Sequence, residues 1–460
     1  MALVGKNAVV VAATLMLTAC ASYAPRPLTP QALKVALAVR PPTPLWVARA
    51  HLLLPQLPPI AVRQGQGLTP DLAAIVAVVA DPALRALRGQ EAVASAQVLA
   101  AGLLPNPTFS YGVGIPLSGA GLTEAFRVGL GLPIRALITR PAREQAARYH
   151  AQAVHLTVAW QEWQVAARAK ALVYALLVGR RERSLLAREV HVLRHSAELL
   201  ADAQAAGYAT MGAALAARLA LHQTELVRLT VRRDYAQKLL ALKALLGVGA
   251  QTTLRFTHHL PLDDFSGGFT AQTWLKDLPR RRLDLLALRR GYKSQDATLR
   301  AVIAGQFPAI TVGVNRARDT SDINTLGGGV TMELPIFNHN QGSIALARAT
   351  RRVLFRSYAA RLFVARAEIR RLLTAMRYEK LKMRATRSSV QTLTHLERLY
   401  HRALASHRIA ALTYYQLLDH AVAERLSLLK DKARREQLAV ALETASGRFE
   451  WPRRPVKGHP

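Results

Sequence analysis

Apolar residues alternate with small or polar ones in four short segments of the chain, as they do in strands that present one apolar face. Two of the segments are residues 108–115 and 125–132, and the other two are residues 309–315 and 329–336. The apolar positions of the first pair are Phe109, Tyr111, Val113, Ile115, Phe126, Val128, Leu130 and Leu132. The pattern predicts two strand pairs, separated by roughly 200 residues.

Each strand pair leads into a long stretch with helical periodicity. Residues 141–206 contain no proline after Pro141, and as one helix they would extend roughly 100 Å. The spacing of a coiled-coil seam is followed by Leu186, Val190, Leu193, Ala197 and Leu200. A break at residues 207–210 precedes a return helix that ends near Leu246. The second copy has the same design, with a long helix over residues 338–404, a break near Ser406 and a return helix over residues 412–442.

The recurrence of helix, strand pair, long helix and return helix predicts an internal duplication. The two structural repeats are residues 68–250 and 281–447, and residues 251–280, which contain turn-forming residues, form a linker. Residues 20–67 are rich in proline and are expected to be extended. Residues 448–460 form a C-terminal tail.

The single cysteine, Cys20, lies at the end of an N-terminal targeting pattern. A short basic start and an apolar run over residues 8–17 are typical of a secretory signal peptide, residues 1–19. Leu17-Thr18-Ala19-Cys20 resembles the lipobox of bacterial lipoproteins, which implies that Cys20 is acylated. The resemblance also implies sorting to the outer membrane, because no aspartate follows Cys20. No later apolar run is long enough for a transmembrane helix, so a spanning segment would have to be β.

The chain is strongly basic, with 62 lysines and arginines against 29 acidic residues and a net charge of +33. Many arginines lie on the second long helix, among them Arg348, Arg351, Arg352, Arg356, Arg361, Arg366, Arg370 and Arg371. Nucleic-acid binding would need stacking aromatics on a basic face, and aromatics make up only 6% of the chain, so we expect no nucleic-acid partner. Two interpretations stay open: a solvated exterior adapted to an acidic medium, and an arginine-lined lumen that selects anions.

No group of residues in the sequence has the pattern of a catalytic, cofactor or metal site. His191 and His195 have the i, i+4 spacing of metal ligands, but no acidic residue completes a known zinc motif, and a surface pair explains them. His258-His259 lies in the linker, Gly327-Gly328-Gly329 lacks the context of a phosphate loop and gives room for a strand turn, and Asp263-Asp264 is isolated. We therefore expect no enzyme, no cofactor and no metal.

Two motifs carry a resemblance to a known family. Gly102-Leu103-Leu104-Pro105-Asn106-Pro107 precedes the first strand, and Leu334-Pro335-Ile336-Phe337-Asn338-His339-Asn340-Gln341-Gly342 follows the last one. Both are similar to segments of the TolC-type outer-membrane efflux proteins, and the similarity covers most of residues 68–447. It implies a mainly α fold with a β membrane part. Three chains would form a homotrimer with a long α-helical coiled-coil barrel and a twelve-stranded transmembrane β-barrel, to which each chain gives four strands. The sequence around Pro335 leans towards the cation-efflux subgroup.

The resemblance also implies a function and its partners. The chain would be a passive outer-membrane channel of a tripartite efflux system, in contact with outer-membrane lipid, a periplasmic adaptor protein and an inner-membrane pump. Residues 118–123 and 316–325 would be extracellular loops. The two helix reversals would form a tip whose gate includes Asp202, Tyr208, Arg408 and Asp419 and whose adaptor contacts include Gly207, Thr210, Ser406 and Ile409. Solvated helix ends are the alternative at the tip, and a periplasmic coiled-coil lipoprotein with a scaffolding role is the alternative for the whole chain.

Overall fold

The computed structural model describes residues 23–37, 67–119, 121–257, 271–406 and 408–448. The chain divides into two units, residues 1–41 and residues 42–460. In the first unit helix α1 spans Pro30–Leu37, and the Thr29 hydroxyl accepts a hydrogen bond from the Ala32 amide at 3.2 Å. This segment was expected to be extended, but a proline in the first turn of a helix loses no hydrogen bond. The signal peptide and Cys20 lie outside the described residues.

The second unit begins with two capped helices. Helix α2 spans Pro70–Ala80 and helix α3 spans Pro82–Gly102. The Thr69 hydroxyl accepts from the Leu72 amide at 3.1 Å, and the Asp81 carboxylate accepts from the Leu84 amide at 2.9 Å. Each cap precedes a proline at the start of its helix, where the missing amide hydrogen costs no hydrogen bond.

Four strands form one antiparallel sheet in the order β1-β2-β3-β4. Their bounds are Thr108–Gly114 for β1, Ala125–Pro133 for β2, Ile310–Arg318 for β3 and Asn324–Met332 for β4. The predicted bounds of β4 were wrong, since the strand begins at Asn324 rather than near residue 329 and ends at Met332 rather than near residue 336. The three glycines at 327–329 lie inside β4 and not in a turn. Backbone pairing with β3 continues through them because it requires no side chain.

Two very long helices and two return helices form most of the second unit. Helix α4 spans Ile134–Ala205 and has 72 residues, which corresponds to about 108 Å, and α5 returns over Met211–Leu245. Helices α6, Ala271–Leu275, and α7, Leu278–Arg281, are short. They precede α8, which spans Leu283–Ala304 and leads into β3. Helix α9 spans Gln341–Ala405, with 65 residues, and α10 spans Ala411–Ser446. Within the described residues, no helix combines the length and the apolar character needed to cross a membrane.

The core of this unit is a series of narrow seams between helices. In the predicted seam of α4, Leu186, Val190 and Leu193 are almost fully buried, as are Ala365 and Ile369 of α9. The seam spacing therefore identified three buried positions of α4 correctly.

The predicted linker, residues 251–280, contributes to the core at its C-terminal end. Trp274 of α6 is 1% exposed and Leu278 of α7 is fully buried, and both pack with Leu372 of α9 and Leu442 of α10. Residues 258–270, which include His258, His259 and the Asp263-Asp264 pair, lie outside the described residues.

Candidate functional site

One face of the sheet carries nearly all of its large apolar side chains. Residues that pair across neighbouring strands project to the same side of a sheet. The register pairs Phe109 with Leu130 and Leu130 with Val314, and it pairs Leu132 with Val312. We call this side the apolar face.

The opposite side, which we call the small-residue face, carries glycine and polar residues. One row across the sheet consists of Ser110, Gly129, Asn315 and Gly327. The packing there leaves little space, because a Cβ on Gly313 would lie 2.6 Å from the Leu130 carbonyl oxygen. The sheet is therefore amphipathic across all four strands, as the alternation in the sequence predicted.

Both hairpin connections lie at one end of the sheet, and both long helices leave from the other end. The Thr123 amide donates a hydrogen bond to the Thr320 carbonyl at 2.9 Å, which joins the two connections. The second connection is shorter than expected, because Arg316–Arg318 and Asn324–Thr325 belong to strands. At the helical end, β2 passes directly into α4 at Pro133 and Ile134.

The sheet ends at β1 on one side and at β4 on the other. In the described sheet each of these strands pairs with one neighbour only, β1 with β2 and β4 with β3. The outer backbone groups of both edges are thus available to a strand of another chain.

The first helix reversal is a tight turn after α4. Gly207 has φ 77°, in the left-handed region, and its amide donates to the Gln204 carbonyl at 3.0 Å. The Tyr208 amide donates to the Ala203 carbonyl at 2.7 Å. The Thr210 hydroxyl then caps α5 by accepting from the Ala213 amide at 3.2 Å.

The second reversal joins α9 to α10. The Ser406 hydroxyl donates to the carbonyls of Arg402 and Ala403, at 3.1 and 3.2 Å, and the Arg408 amide donates to the Ala403 carbonyl at 2.8 Å. Helix α10 starts at Ala411, and its preceding residue provides no side-chain cap.

The two reversals lie at the same end of the helical body. Leu193 of α4, Ala217 of α5 and Tyr415 of α10 belong to one buried apolar cluster close to both turns. We call this end the tip. Since α4 begins at the sheet, the tip is the end of the unit that is remote from the strands.

The four residues predicted to form a gate, Asp202, Tyr208, Arg408 and Asp419, all have exposed side chains at the tip, and Tyr208 is 87% exposed. Among the described residues of this single chain, none of these four side chains has an ion pair or a hydrogen bond. Of the predicted adaptor contacts, Gly207, Thr210 and Ser406 are exposed and Ile409 is half-buried.

A charge network near the tip was not predicted from the sequence. Arg425 of α10 donates to the Glu397 carboxylate of α9 at 2.5 Å and lies 3.5 Å from the Glu189 carboxylate of α4. Arg425 also donates to the Thr394 hydroxyl at 3.4 Å. One cation of α10 thus links the preceding helix α9 to α4, which is distant in sequence.

Burial shifts the pKa of one member of this network, Glu189, and of a neighbouring residue, Tyr414. Desolvation raises the pKa of Glu189 above its ordinary value, although Arg425 opposes the shift. Desolvation also raises the pKa of Tyr414 to about 12, and the negative charge of Glu397 adds to the effect. Tyr414 is therefore neutral at physiological pH, and its ring packs edge-on against Tyr415 with centroids 5.4 Å apart.

The histidine pair considered for metal binding lies on the first long helix, and the three glycines considered for a phosphate loop lie inside β4. His191 and His195 are exposed on α4. In the part of the chain that the structure describes, no group of three or more histidine, cysteine or acidic residues is arranged to hold a metal ion.

Comparison with solved structures identifies the fold. A membrane protein from Pseudomonas aeruginosa matches with a TM-score of 0.71 and 18% identity, over 86% of this chain and 97% of that one. The CmeC outer membrane channel of Campylobacter jejuni matches with a TM-score of 0.71 and 14% identity, over 86% and 92%. CusC, whose crystal structures concern folding and transmembrane channel formation, matches with a TM-score of 0.69 and 17% identity, over 85% and 95%.

The chain has the fold of the TolC-type outer-membrane channels, which the motifs at residues 102–107 and 334–342 predicted. No protein-family model and no curated protein matches the sequence itself. The fold is therefore recognised by structural similarity, at sequence identities below 20%.

Proposed function

We propose that this protein is the outer-membrane channel of a tripartite efflux system and that three copies assemble into one conduit. The amphipathic sheet with two unpaired edges supports this most directly. The core of a bilayer contains no water to hydrogen-bond the backbone groups of an open strand edge, so a spanning sheet must close into a barrel. Four strands are too few to do so, and three copies supply the twelve strands that the resemblance implies.

The channel is passive in this proposal, and its action follows from geometry. The apolar face contacts lipid and the small-residue face lines the pore, which is the arrangement of a transmembrane β-barrel. The helical body continues the conduit for about 100 Å into the periplasm. Energy for export comes from an inner-membrane pump. The solved structures that match this chain include channel proteins, which fits a role without catalysis.

The central experiment is to express the chain with its N-terminal segment, extract it from outer membranes and reconstitute it in planar bilayers. We expect heat-resistant trimers with both α and β circular dichroism and discrete conductance steps. A mature protein that is water-soluble, purely helical and non-conducting would refute the channel and favour the scaffolding lipoprotein.

The gate at the tip stays a proposal of its own. We expect Asp202→Ala and Arg408→Ala to raise single-channel conductance or open probability, because contacts between helices of neighbouring copies would be lost. Glu198→Ala is the control, since Glu198 is exposed on α4 one turn before Asp202 and does not belong to the predicted gate. If both tip variants conduct like the wild type, the exposed residues are solvated helix ends.

Adaptor binding at the tip can be tested by site-specific crosslinking. A Thr210→Cys variant with a bifunctional reagent is expected to capture the periplasmic adaptor protein, because Thr210 is exposed at the first reversal. Ser118→Cys, in the first connection at the opposite end of the unit, is the matched control. Equal capture from both positions would argue against a contact at the tip.

Lipid anchoring is proposed from the sequence at Cys20 alone. Mass spectrometry of the mature N-terminus is expected to find a diacylglyceryl thioether and an amide-linked fatty acid on Cys20. A Cys20→Ser variant should lose both and still form trimers if the β-barrel alone is sufficient for insertion. An unmodified Cys20 in membrane-extracted protein would remove the anchor from the proposal.

A further inference from the structure

The apolar face of the sheet changes character on β3 close to the hairpin connections. Successive residues on this face are Ile310, Val312 and Val314, followed by Arg316 and Arg318. Arg316 pairs with Val128 on β2 and with Leu326 on β4, so its neighbours on both sides are apolar. Leu326 is 84% exposed.

Arginine on the lipid side of a barrel is costly at the middle of a bilayer and nearly neutral at its interface. Two arginines at the connection end of an apolar face therefore place that end in the headgroup layer. The three apolar residues that precede them on β3 lie deeper, in the hydrocarbon layer.

Arg318 is fixed by contacts within the chain. Its Nε and Nη2 donate to the Glu124 carbonyl at 3.3 and 2.9 Å, its Nη1 lies 3.4 Å from the Asp322 carboxylate, and its guanidinium stacks 5.4 Å from the Phe126 ring. The charge of Arg318 is thus largely compensated by Asp322.

Arg316 is exposed, and within the described residues it has neither an ion pair nor a hydrogen bond. The other carboxylate of the second connection, Asp319, accepts the amides of Ser321 and Ile323 at 2.9 Å each. Arg316 therefore presents an uncompensated, forked donor on an apolar surface, and such a group suits a phosphate.

The position of β3 keeps this arginine accessible after assembly. Strand β3 has neighbours on both sides within its own chain, β2 and β4, whereas the free edges belong to β1 and β4. Closing a barrel through those edges leaves the apolar face of β3 uncovered.

We propose that Arg316 binds the phosphate group of an anionic lipid in the leaflet at the connection end of the sheet, next to the already paired Arg318. The apolar residues Val128, Val314 and Leu326 contact the acyl chains of the same lipid. This inference rests on the proposed function, because it requires the apolar face to contact a bilayer.

The test is native mass spectrometry of detergent-solubilised trimers titrated with diphosphorylated lipid A and with the same lipid after its phosphates have been removed. Arg316→Gln is expected to weaken binding of the phosphorylated probe about fivefold, the factor for one arginine near an anionic surface. Binding of the dephosphorylated probe should not change, and Arg316→Lys should bind the phosphorylated probe more tightly than Arg316→Gln does. Arg127→Gln is the matched control, since Arg127 lies on the small-residue face of the adjacent strand.

Three results would overturn the inference. Arg316→Gln could bind the phosphorylated probe with wild-type affinity, it could lose equal affinity for both probes, or Arg127→Gln could lose as much affinity as Arg316→Gln does. Displacement of the phosphorylated probe by inorganic phosphate would replace the lipid site with a free-anion site. The same trimers are tested for conductance. Conducting trimers that bind both probes alike refute only the lipid site, whereas the absence of trimers and conductance refutes the channel.

Discussion

Arg282 shows how much a single buried charge connects in this protein. It lies between α7 and α8, is 1% exposed and donates to the carboxylates of Asp284 and Glu368 at 2.9 and 3.0 Å. It also donates to the Ala445 carbonyl at 2.9 Å and stacks 5.0 Å from the Trp160 ring. Four long helices, α4, α8, α9 and α10, thus meet around one guanidinium.

We predict that Arg282→Ala destabilises the protein by about 3 kcal/mol, because it leaves Glu368 and the Ala445 carbonyl without their buried donor. Asp284, in contrast, keeps Arg361 as a partner at 2.6 Å. Thermal unfolding followed by circular dichroism measures the effect. Arg280→Ala, an exposed position in α7, is the control and should change stability by less than about 0.5 kcal/mol. Similar small effects for both variants would mean that Arg282 is dispensable.

Glu182 of α4 gives a pH-dependent prediction. Burial raises its pKa above 4.5, while Lys430 and Lys238 oppose the shift, and its Oε1 has no hydrogen-bond partner. With a raised pKa, the folded protein binds a proton more tightly than the unfolded chain does. Glu182 therefore favours folding at low pH, and its contribution is lost as the pH rises through the raised pKa.

We expect Glu182→Gln to raise the unfolding temperature at neutral pH and to leave it almost unchanged below pH 4.5, where the wild-type side chain is protonated. Melting curves over a pH series measure this difference. Glu198→Gln, at an exposed site on the same helix, should show no such dependence. A variant that is less stable than the wild type at neutral pH would show that the charged form of Glu182 is stabilising.

At the residue scale, the sequence located the gate and adaptor candidates at the tip but could not identify the Arg425 network. In the helical pattern of the sequence, ordinary surface positions are occupied by Arg425, Glu397 and Glu189. Whether they meet depends on the register of α4, α9 and α10 against one another, which no local pattern specifies. The exposed Tyr208, in contrast, lies next to a glycine break that any reader of the sequence can find.

At the scale of elements, turn chemistry and apolar periodicity predicted most of the helices and three of the strands. These two signals failed at the glycines of β4, where side chains are nearly absent. They also failed at Pro30, where a proline begins a helix instead of preventing one. In both cases backbone hydrogen bonding determines the structure. The first reversal is the opposite case, since Gly207 is required there by its φ of 77°.

We predict that Gly207→Ala destabilises the α4–α5 hairpin by about 1 kcal/mol, because an L-residue in the left-handed region is strained. Space is not the cause, since a Cβ at Gly207 would meet no atom within 4 Å. Gly212→Ala is the matched control. It has equal space but lies in helix α5, so it should stabilise by about 0.5–1 kcal/mol. Denaturant unfolding measures the free energy of unfolding of both variants. A change of the same sign in both would contradict the explanation.

At the scale of the whole molecule, the two interpretations of the positive charge lead to different pores. The register places Arg127 on the small-residue face, opposite Gly112 and Ala317, and its side chain is exposed. In the proposed three-fold channel this would give a ring of arginines in the pore near the hairpin connections. Such a ring favours anions.

We therefore expect reconstituted channels to show an anion-selective reversal potential in a salt gradient. Arg127→Gln should move this potential towards zero, and Arg127→Glu should move it further towards cation selectivity. Arg316→Gln, which removes an arginine from the apolar face, should leave it unchanged. If the arginine on the apolar face changes selectivity and Arg127 does not, the two faces have been assigned in the wrong order.

The unpaired edges of β1 and β4 have a consequence for biogenesis. In the proposed trimer a lone chain cannot complete the hydrogen bonding of its sheet, so closure of the barrel needs two further copies and depends on concentration. Until that step, each chain would expose two strand edges to any other unfolded chain around it. Assembly therefore competes with aggregation. The yield of native protein should fall when chains are produced faster than each can associate with two further copies.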